Sequence, residues 1–111
     1  MAEKIGNMMF ITPHQLNEAH EEVVILDIRN PAAFARNHVP GSINIDVYSD
    51  LKLGHIKSAK KKFSVLPKGK LIITVCNAGI TAQPAAQVLE SMGYKALVLE
   101  DGMIGWNARS H

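Results

Sequence analysis

Three short runs of aliphatic residues, many of them β-branched, constrain the fold of this chain more than any other feature. They occupy residues 23–26, 71–75 and 96–99. None of them alternates apolar with polar residues, as a strand with one solvated face would. Continuous apolar runs of this length are typical of strands buried on both faces of a parallel sheet. Parallel strands in turn need crossover connections, which are usually helical.

The segments around these runs carry helix signals. Thr12 with Gln15 forms a capping-box pattern ahead of a helix predicted over residues 13–20, and a second short helix is predicted over residues 31–37. The other predicted elements are an apolar run at residues 8–11, a short strand at 42–45, a helix within the weakly patterned segment 46–70 that ends before Pro67, a helix around 85–92 that Gly93 ends, and a last helix over 102–109.

Strands that alternate with helices predict a three-layer α/β fold, in which helices cover both faces of a mainly parallel sheet. The length suits one domain over residues 1–111, with its core at about residues 9–109. No apolar run approaches the roughly 20 residues that cross a bilayer, and the first ten residues lack the apolar stretch of a signal peptide. We therefore expect a cytoplasmic protein with no membrane partner.

The charged residues exclude other classes of partner. Twelve basic against ten acidic residues give a net charge of +2, an excess too small to indicate nucleic-acid binding. The four lysines within residues 57–62 are interpreted as the solvated face of a helix, with a nucleic-acid patch as the less favoured alternative. The five histidines include no i, i+4 pair and there is one cysteine, so neither a metal site nor an intrachain disulfide is expected.

That cysteine, Cys76, directly follows the most hydrophobic predicted strand. Ligands bind at the carboxyl ends of the strands in open α/β sheets. The short loop after Cys76 can turn its backbone N–H groups inward, Gly79 permits the left-handed turn this requires, and Thr81 or Ala82 would cap the next helix. Such a loop favours a reactive thiolate, although an inert packed cysteine remains the alternative.

At these residues the chain resembles the single-domain rhodanese-type sulfurtransferases, from about residue 9 to residue 109. No single piece is decisive, but their order and spacing are specific. The matching pieces are Leu26-Asp27-Ile28-Arg29 followed by Phe34, residues 38–45, Val75-Cys76 with a six-residue loop, Met92-Gly93-Tyr94, and residues 99–102 leading to Trp106. The resemblance implies a rhodanese-like fold with a five-stranded sheet.

The resemblance also implies a function. Cys76 would be the nucleophile that takes a sulfane sulfur from thiosulfate or a persulfide donor and holds it as a persulfide. A thiol, cyanide or the cysteine of a protein partner would then accept it, and no cofactor is implied. Asp27 and Arg29 match a pair near the mouth of the site, where Arg29 would hold the loop or contact an anionic donor. The alternative is that Asp27 and Arg29 form a salt bridge that braces the end of the strand. The backbone amides implied to bind the outer sulfur belong to Asn77, Ala78, Gly79, Ile80 and Thr81.

This chain departs from the family pattern in ways that affect the chemistry. Positions 77 and 81, often arginine in the family, are Asn77 and Thr81, so the loop carries no formal charge. We therefore expect weak turnover of thiosulfate and a preference for persulfide donors, because charge-assisted hydrogen bonds are the stronger ones. Asp101-Gly102 stands where many family members have Gly-Gly before the last helix, so the resemblance does not determine the conformation of the chain at this point.

Three alternatives to sulfur transfer share the same cysteine. Phosphatases of this fold have an arginine six residues after the nucleophile, where this chain has Ala82, so phosphoryl transfer would lack its main electrostatic stabiliser. The uncharged loop also fits a non-catalytic domain that docks a partner. A redox sensor that cycles through sulfenic acid is the third alternative.

Overall fold

The structure, a computed structural model, describes residues 3–5, 8–19 and 23–109. Within them the chain forms one sheet and six helices. No helix of the described ranges is long and apolar enough to cross a membrane. In chain order the elements are β1 (Glu3–Ile5), β2 (Met8–Ile11), α1 (Pro13–Glu18), β3 (Val23–Asp27), α2 (Pro31–Arg36), β4 (Ile43–Asn44), α3 (Tyr48–Lys52), α4 (Ile56–Phe63), β5 (Leu71–Val75), α5 (Ala82–Ser91), β6 (Lys95–Leu99) and α6 (Gly102–Ala108).

The sheet has the strand order β1-β2-β6-β5-β3-β4. Its five strands β2, β6, β5, β3 and β4 are parallel, which confirms the predicted architecture. β1 pairs antiparallel with β2 and adds a sixth strand that the sequence pattern did not indicate. Because β5 lies between β3 and β6, the carboxyl ends of all three strands meet at one edge of the sheet.

Helices cover both faces of the sheet, as predicted. One face packs against α1 and α6 through Leu16, Met103 and Trp106. The other packs against α4 and α5 through residues such as Phe63 and Leu89. Trp106 is buried in the first of these clusters, where it anchors α6 to the sheet. The capping box at the start of α1 is confirmed, and the predicted end of that helix at residue 20 lies outside the described residues.

The segment after β4 differs from the prediction of one helix. Two short helices form, α3 and α4, because the chain turns at Gly54, whose φ of +75° favours glycine. The Lys62 ammonium joins the two helices: it donates to the Asp50 carboxylate at 2.7 Å and to the Asp46 carbonyl at 3.1 Å. This hydrogen bond lowers the pKa of Asp50 below its ordinary value. One of the four lysines of α4 therefore holds α3 in position.

Candidate active site

Cys76 lies at the carboxyl end of β5, where the sulfur atom is enclosed by the loop that follows. Its side chain is buried, with 2% of its surface exposed. Sγ accepts two backbone hydrogen bonds, from Gly79 N at 3.2 Å and from Ala82 N at 3.3 Å. The loop amides thus turn inward toward the sulfur, in the arrangement that stabilises an anion at a helix N-terminus.

Glycine is required at position 79 for two reasons. Its φ is +81°, and a Cβ built there would lie 3.1 Å from the Asp101 amide nitrogen. The Gln83 side chain donates to the Gly79 carbonyl at 2.9 Å. The buried Thr74 hydroxyl lies 2.9 Å from the Ala82 carbonyl oxygen, which accepts its hydrogen bond. These contacts hold Gly79 and Ala82, the two residues whose N–H groups donate to Sγ.

The start of α6 holds the other side of the loop. Met103 N donates to the Cys76 carbonyl at 2.9 Å, and Ile104 N donates to the Asn77 carbonyl at 3.0 Å. Asp101 and Gly102 both adopt left-handed backbone conformations, with φ of 58° and 53°. A Cβ at Gly102 would lie 2.3 Å from the Cys76 carbonyl oxygen. The Asp-Gly pair therefore supplies two consecutive residues with left-handed backbone conformations. Aspartate is one of the few residues other than glycine that adopt this conformation readily.

Asp27 and Arg29 form a buried ion pair beside the loop. The Arg29 Nη2 and Nε atoms donate to both Asp27 carboxylate oxygens at 2.8–3.2 Å. Arg29 Nη2 also donates to the Asn37 carbonyl at 2.7 Å. The Asp27 side chain is fully buried, so the guanidinium compensates a charge that water does not reach. The structure therefore contains the bracing interaction, and a role of either residue in substrate binding stays a prediction.

Two adjoining cavities open at this edge of the sheet. The cysteine cavity, of about 180 Å³, is lined by Tyr48, Lys52, Cys76, Asn77, Ala78, Ile80 and Thr81. The arginine cavity, of about 270 Å³, is lined by Arg29, Asn30, Ala33, Arg36, Tyr48 and Asn77. Tyr48 and Asn77 belong to both, so the two spaces share a wall.

The cavities bring together most of the predicted site residues and add others. Five of those predicted residues line the cysteine cavity and Arg29 lines the arginine cavity. Gly79 and Asp27 are buried and line neither. The sequence reasoning missed Tyr48, Lys52 and Arg36, which come from α3 and α2. No local motif marks them, because only the packing of α2 and α3 beside the loop brings them to the site. Within the described residues, no group of three or more histidine, cysteine or acidic side chains is arranged to hold a metal ion.

Comparisons with known proteins agree with this fold. The chain is 26% identical over 93 residues to a putative sulfurtransferase, YtwF, of Bacillus subtilis, covering 84% of this chain and 82% of that protein. It is 33% identical over 89 residues to the thiosulfate sulfurtransferase GlpE of Pseudoalteromonas translucida, covering 79% and 76%. A rhodanese-related protein of Thermoplasma volcanium superposes with a TM-score of 0.73 at 25% identity, over 87% of this chain and 88% of that one.

The match to a family model is equally extensive. The model of the rhodanese-like domain matches residues 12–109, nearly the whole described part of the chain. Those residues include strands β3 to β6, the loop after Cys76 and the helices on both faces of the sheet. The chain therefore belongs to the rhodanese-like domain family.

Proposed function

We propose that the protein is a sulfurtransferase that carries a sulfane sulfur on Cys76. The observation that supports this most directly is the pair of backbone N–H groups that donate to Sγ at 3.2 and 3.3 Å, at the wall of an open cavity. Backbone donors are fixed before the reaction begins, so they stabilise a sulfur anion without reorganisation. A cysteine that served only to fill the core would have no need of them.

The proposed reaction has two displacements. The Cys76 thiolate attacks the outer sulfur of the donor, an Sγ–S bond forms, and the donor's S–S bond breaks. With thiosulfate the leaving group is sulfite; with a thiol persulfide it is the thiolate, and in both cases it departs with the bonding electron pair. Cyanide or an acceptor thiolate then attacks the outer sulfur of the enzyme persulfide. Thiocyanate or a new persulfide is released, and the Cys76 thiolate returns.

The loop amides are suited to hold the outer sulfur of that persulfide. Within the described residues, the N–H groups of Ala78, Ile80 and Thr81 have no hydrogen-bond acceptor. They flank the two N–H groups that already contact Sγ, so an additional sulfur atom would gain donors from the same loop. Orphan donors near a helix N-terminus are where an anion is stabilised.

The charges at the site favour a thiol persulfide over thiosulfate as donor. The loop contributes none, and Lys52 is the one cation among the residues that line the cysteine cavity. Thiosulfate carries two negative charges on a compact ion and would need strong compensation. We therefore propose that kcat/KM for glutathione persulfide exceeds that for thiosulfate. The reverse order, measured with the purified protein, would refute this preference.

Mass spectrometry of the intact protein tests the central step. After treatment with glutathione persulfide, polysulfide or thiosulfate, the wild-type chain should gain the mass of one sulfur atom. Cys76→Ser should gain none, and cyanide should remove the adduct while producing thiocyanate. If no donor yields an adduct on the folded wild-type protein, sulfur transfer is rejected.

A second candidate function is a non-catalytic domain that docks a partner protein. Two observations favour it: the Cys76 side chain is almost completely buried, and Ile80 at the tip of the loop exposes 68% of its surface. An exposed aliphatic side chain beside a cavity offers apolar surface that a partner could cover. The same mass measurement separates the two functions, because a docking domain would form no persulfide with any donor.

A further inference from the structure

The arginine cavity has no part in the sulfur chemistry, yet it adjoins the cavity that does. The two share Tyr48 and Asn77, so a molecule whose sulfur lies against Cys76 can extend directly into the arginine cavity. Thiosulfate is only two sulfur atoms long and would remain beside the cysteine. A peptide-sized thiol is longer, since three extended residues span about 10 Å.

The charge in the arginine cavity comes from one uncompensated group. The Arg29 guanidinium is neutralised by Asp27, to which it donates three hydrogen bonds. Arg36 is exposed at the end of α2, and no ion pair engages it within the described residues. A free guanidinium forms bidentate hydrogen bonds with a carboxylate.

The backbone that carries Arg36 is held in place by the next residue. The Asn37 carbonyl accepts a hydrogen bond from Arg29 at 2.7 Å, and the Asn37 side chain donates to Asn107 of α6 at 2.7 Å. Asn30 and Asn77 supply amide groups to the same cavity. The lining therefore combines an exposed cation on an anchored backbone with amides that suit peptide groups, and Tyr48 and Ala33 provide apolar contact.

We infer that the arginine cavity is the subsite for the carboxylate-bearing part of a small thiol persulfide, with Arg36 as the residue that selects this class of donor. The inference rests on the proposed function, since it assigns the donor of the Cys76 reaction. Arg36 binds the carboxylate and does not touch the reacting sulfur atoms. Its contribution is equal in the ground state and the transition state, so its loss raises KM and leaves kcat nearly constant.

The test compares two donors that differ in their carboxylates. Glutathione persulfide carries two carboxylates, and 2-mercaptoethanol persulfide carries none. In Arg36→Gln the ratio of kcat/KM for the first donor to kcat/KM for the second should fall about fivefold, the size expected for one partly exposed ion pair. If a variant folds less completely, the apparent kcat/KM falls by the same factor for both donors, and the ratio does not change. Arg36→Lys should restore part of the ratio.

The control is Lys57→Gln, which removes the same charge from α4, an element that lines neither cavity. Its ratio should equal that of the wild type. An unchanged ratio in Arg36→Gln, or an equal fall in Lys57→Gln, would overturn the subsite while leaving sulfur transfer through Cys76 intact. If the wild-type protein accepts sulfur from neither donor nor from thiosulfate, the proposed function fails first and the subsite with it.

Discussion

Substituting Gly102 by alanine tests whether the contact between α6 and the Cys76 peptide holds the loop in place. The added Cβ would lie 2.3 Å from the Cys76 carbonyl oxygen and 2.8 Å from the Asn77 carbonyl group. These are backbone atoms, so no side chain can rotate away to make room. Either α6 or the loop must shift, and the hydrogen bond from Met103 N to the Cys76 carbonyl, now 2.9 Å, must lengthen.

The expected loss of stability has two parts. An alanine at a φ of +53° costs about 1–2 kcal/mol, as at any left-handed position. Forcing a methyl group into an occupied space adds about 1–3 kcal/mol. Gly54→Ala provides a matched control, because its φ is +75° and nothing lies within 4 Å of the added Cβ. The difference between the two variants isolates the contact at about 2 kcal/mol.

Urea unfolding followed by circular dichroism measures this difference. With a denaturant slope typical of small domains, Gly102→Ala should unfold at about 1 M less urea than Gly54→Ala. In the absence of urea, the folded Gly102→Ala protein should also form the Cys76 persulfide more slowly than the control, because the amides that face Sγ move with the loop. Equal unfolding midpoints and equal rates for the two variants would contradict the assigned role of Gly102.

Three further changes probe the surrounding contacts. Thr74→Val should destabilise the fold by about 1 kcal/mol, because the Ala82 carbonyl loses a buried donor; urea unfolding measures this, and no loss would contradict it. Asp27→Asn should cost about 2 kcal/mol, because the buried ion pair is lost; a midpoint like that of the wild type would refute this. The pKa of Asp50, which Lys62 lowers below 3.8, predicts a pH dependence. A lowered pKa adds stability above pH 3.8 that is lost as the pH falls below it, so Asp50→Asn should be less stable than wild type at pH 6, with the difference shrinking toward pH 2.

The sequence predicted the elements whose signals are local. The runs at residues 71–75 and 96–99 need burial on both faces, and the structure contains strands there at nearly the same bounds. The division of residues 46–66 into α3 and α4 was not predictable in this way. It depends on the turn at Gly54 and on the contact between Lys62 and Asp50, residues 12 positions apart.

The candidate site likewise has features that local sequence predicts and features that depend on tertiary packing. The position of Cys76 and the inward-facing amides follow from a strand, a glycine and a helix start that are consecutive in the chain, so the sequence predicted them. Arg36 and Lys52 reach the cavities through α2 and α3, whose positions are set by tertiary packing. The resemblance placed Arg29 near the mouth of the site, but the composition of the loop gave no sign of Lys52 in the cysteine cavity or of Arg36 in the arginine cavity.

In this protein, different parts of the chain would contact the reacting sulfur and bind the rest of the donor. A loop with charged side chains would do both. Backbone N–H groups contact the sulfur, so the geometry there depends on Gly79 and Gly102 rather than on the chemical type of the loop side chains. Under the proposed function, the cations on α2 and α3 contact the rest of a donor. A change of charge at those helices should consequently alter which donor reacts while Sγ keeps both of its hydrogen bonds. A change of backbone at either glycine should instead slow every donor alike, because it displaces the amides that all of them require.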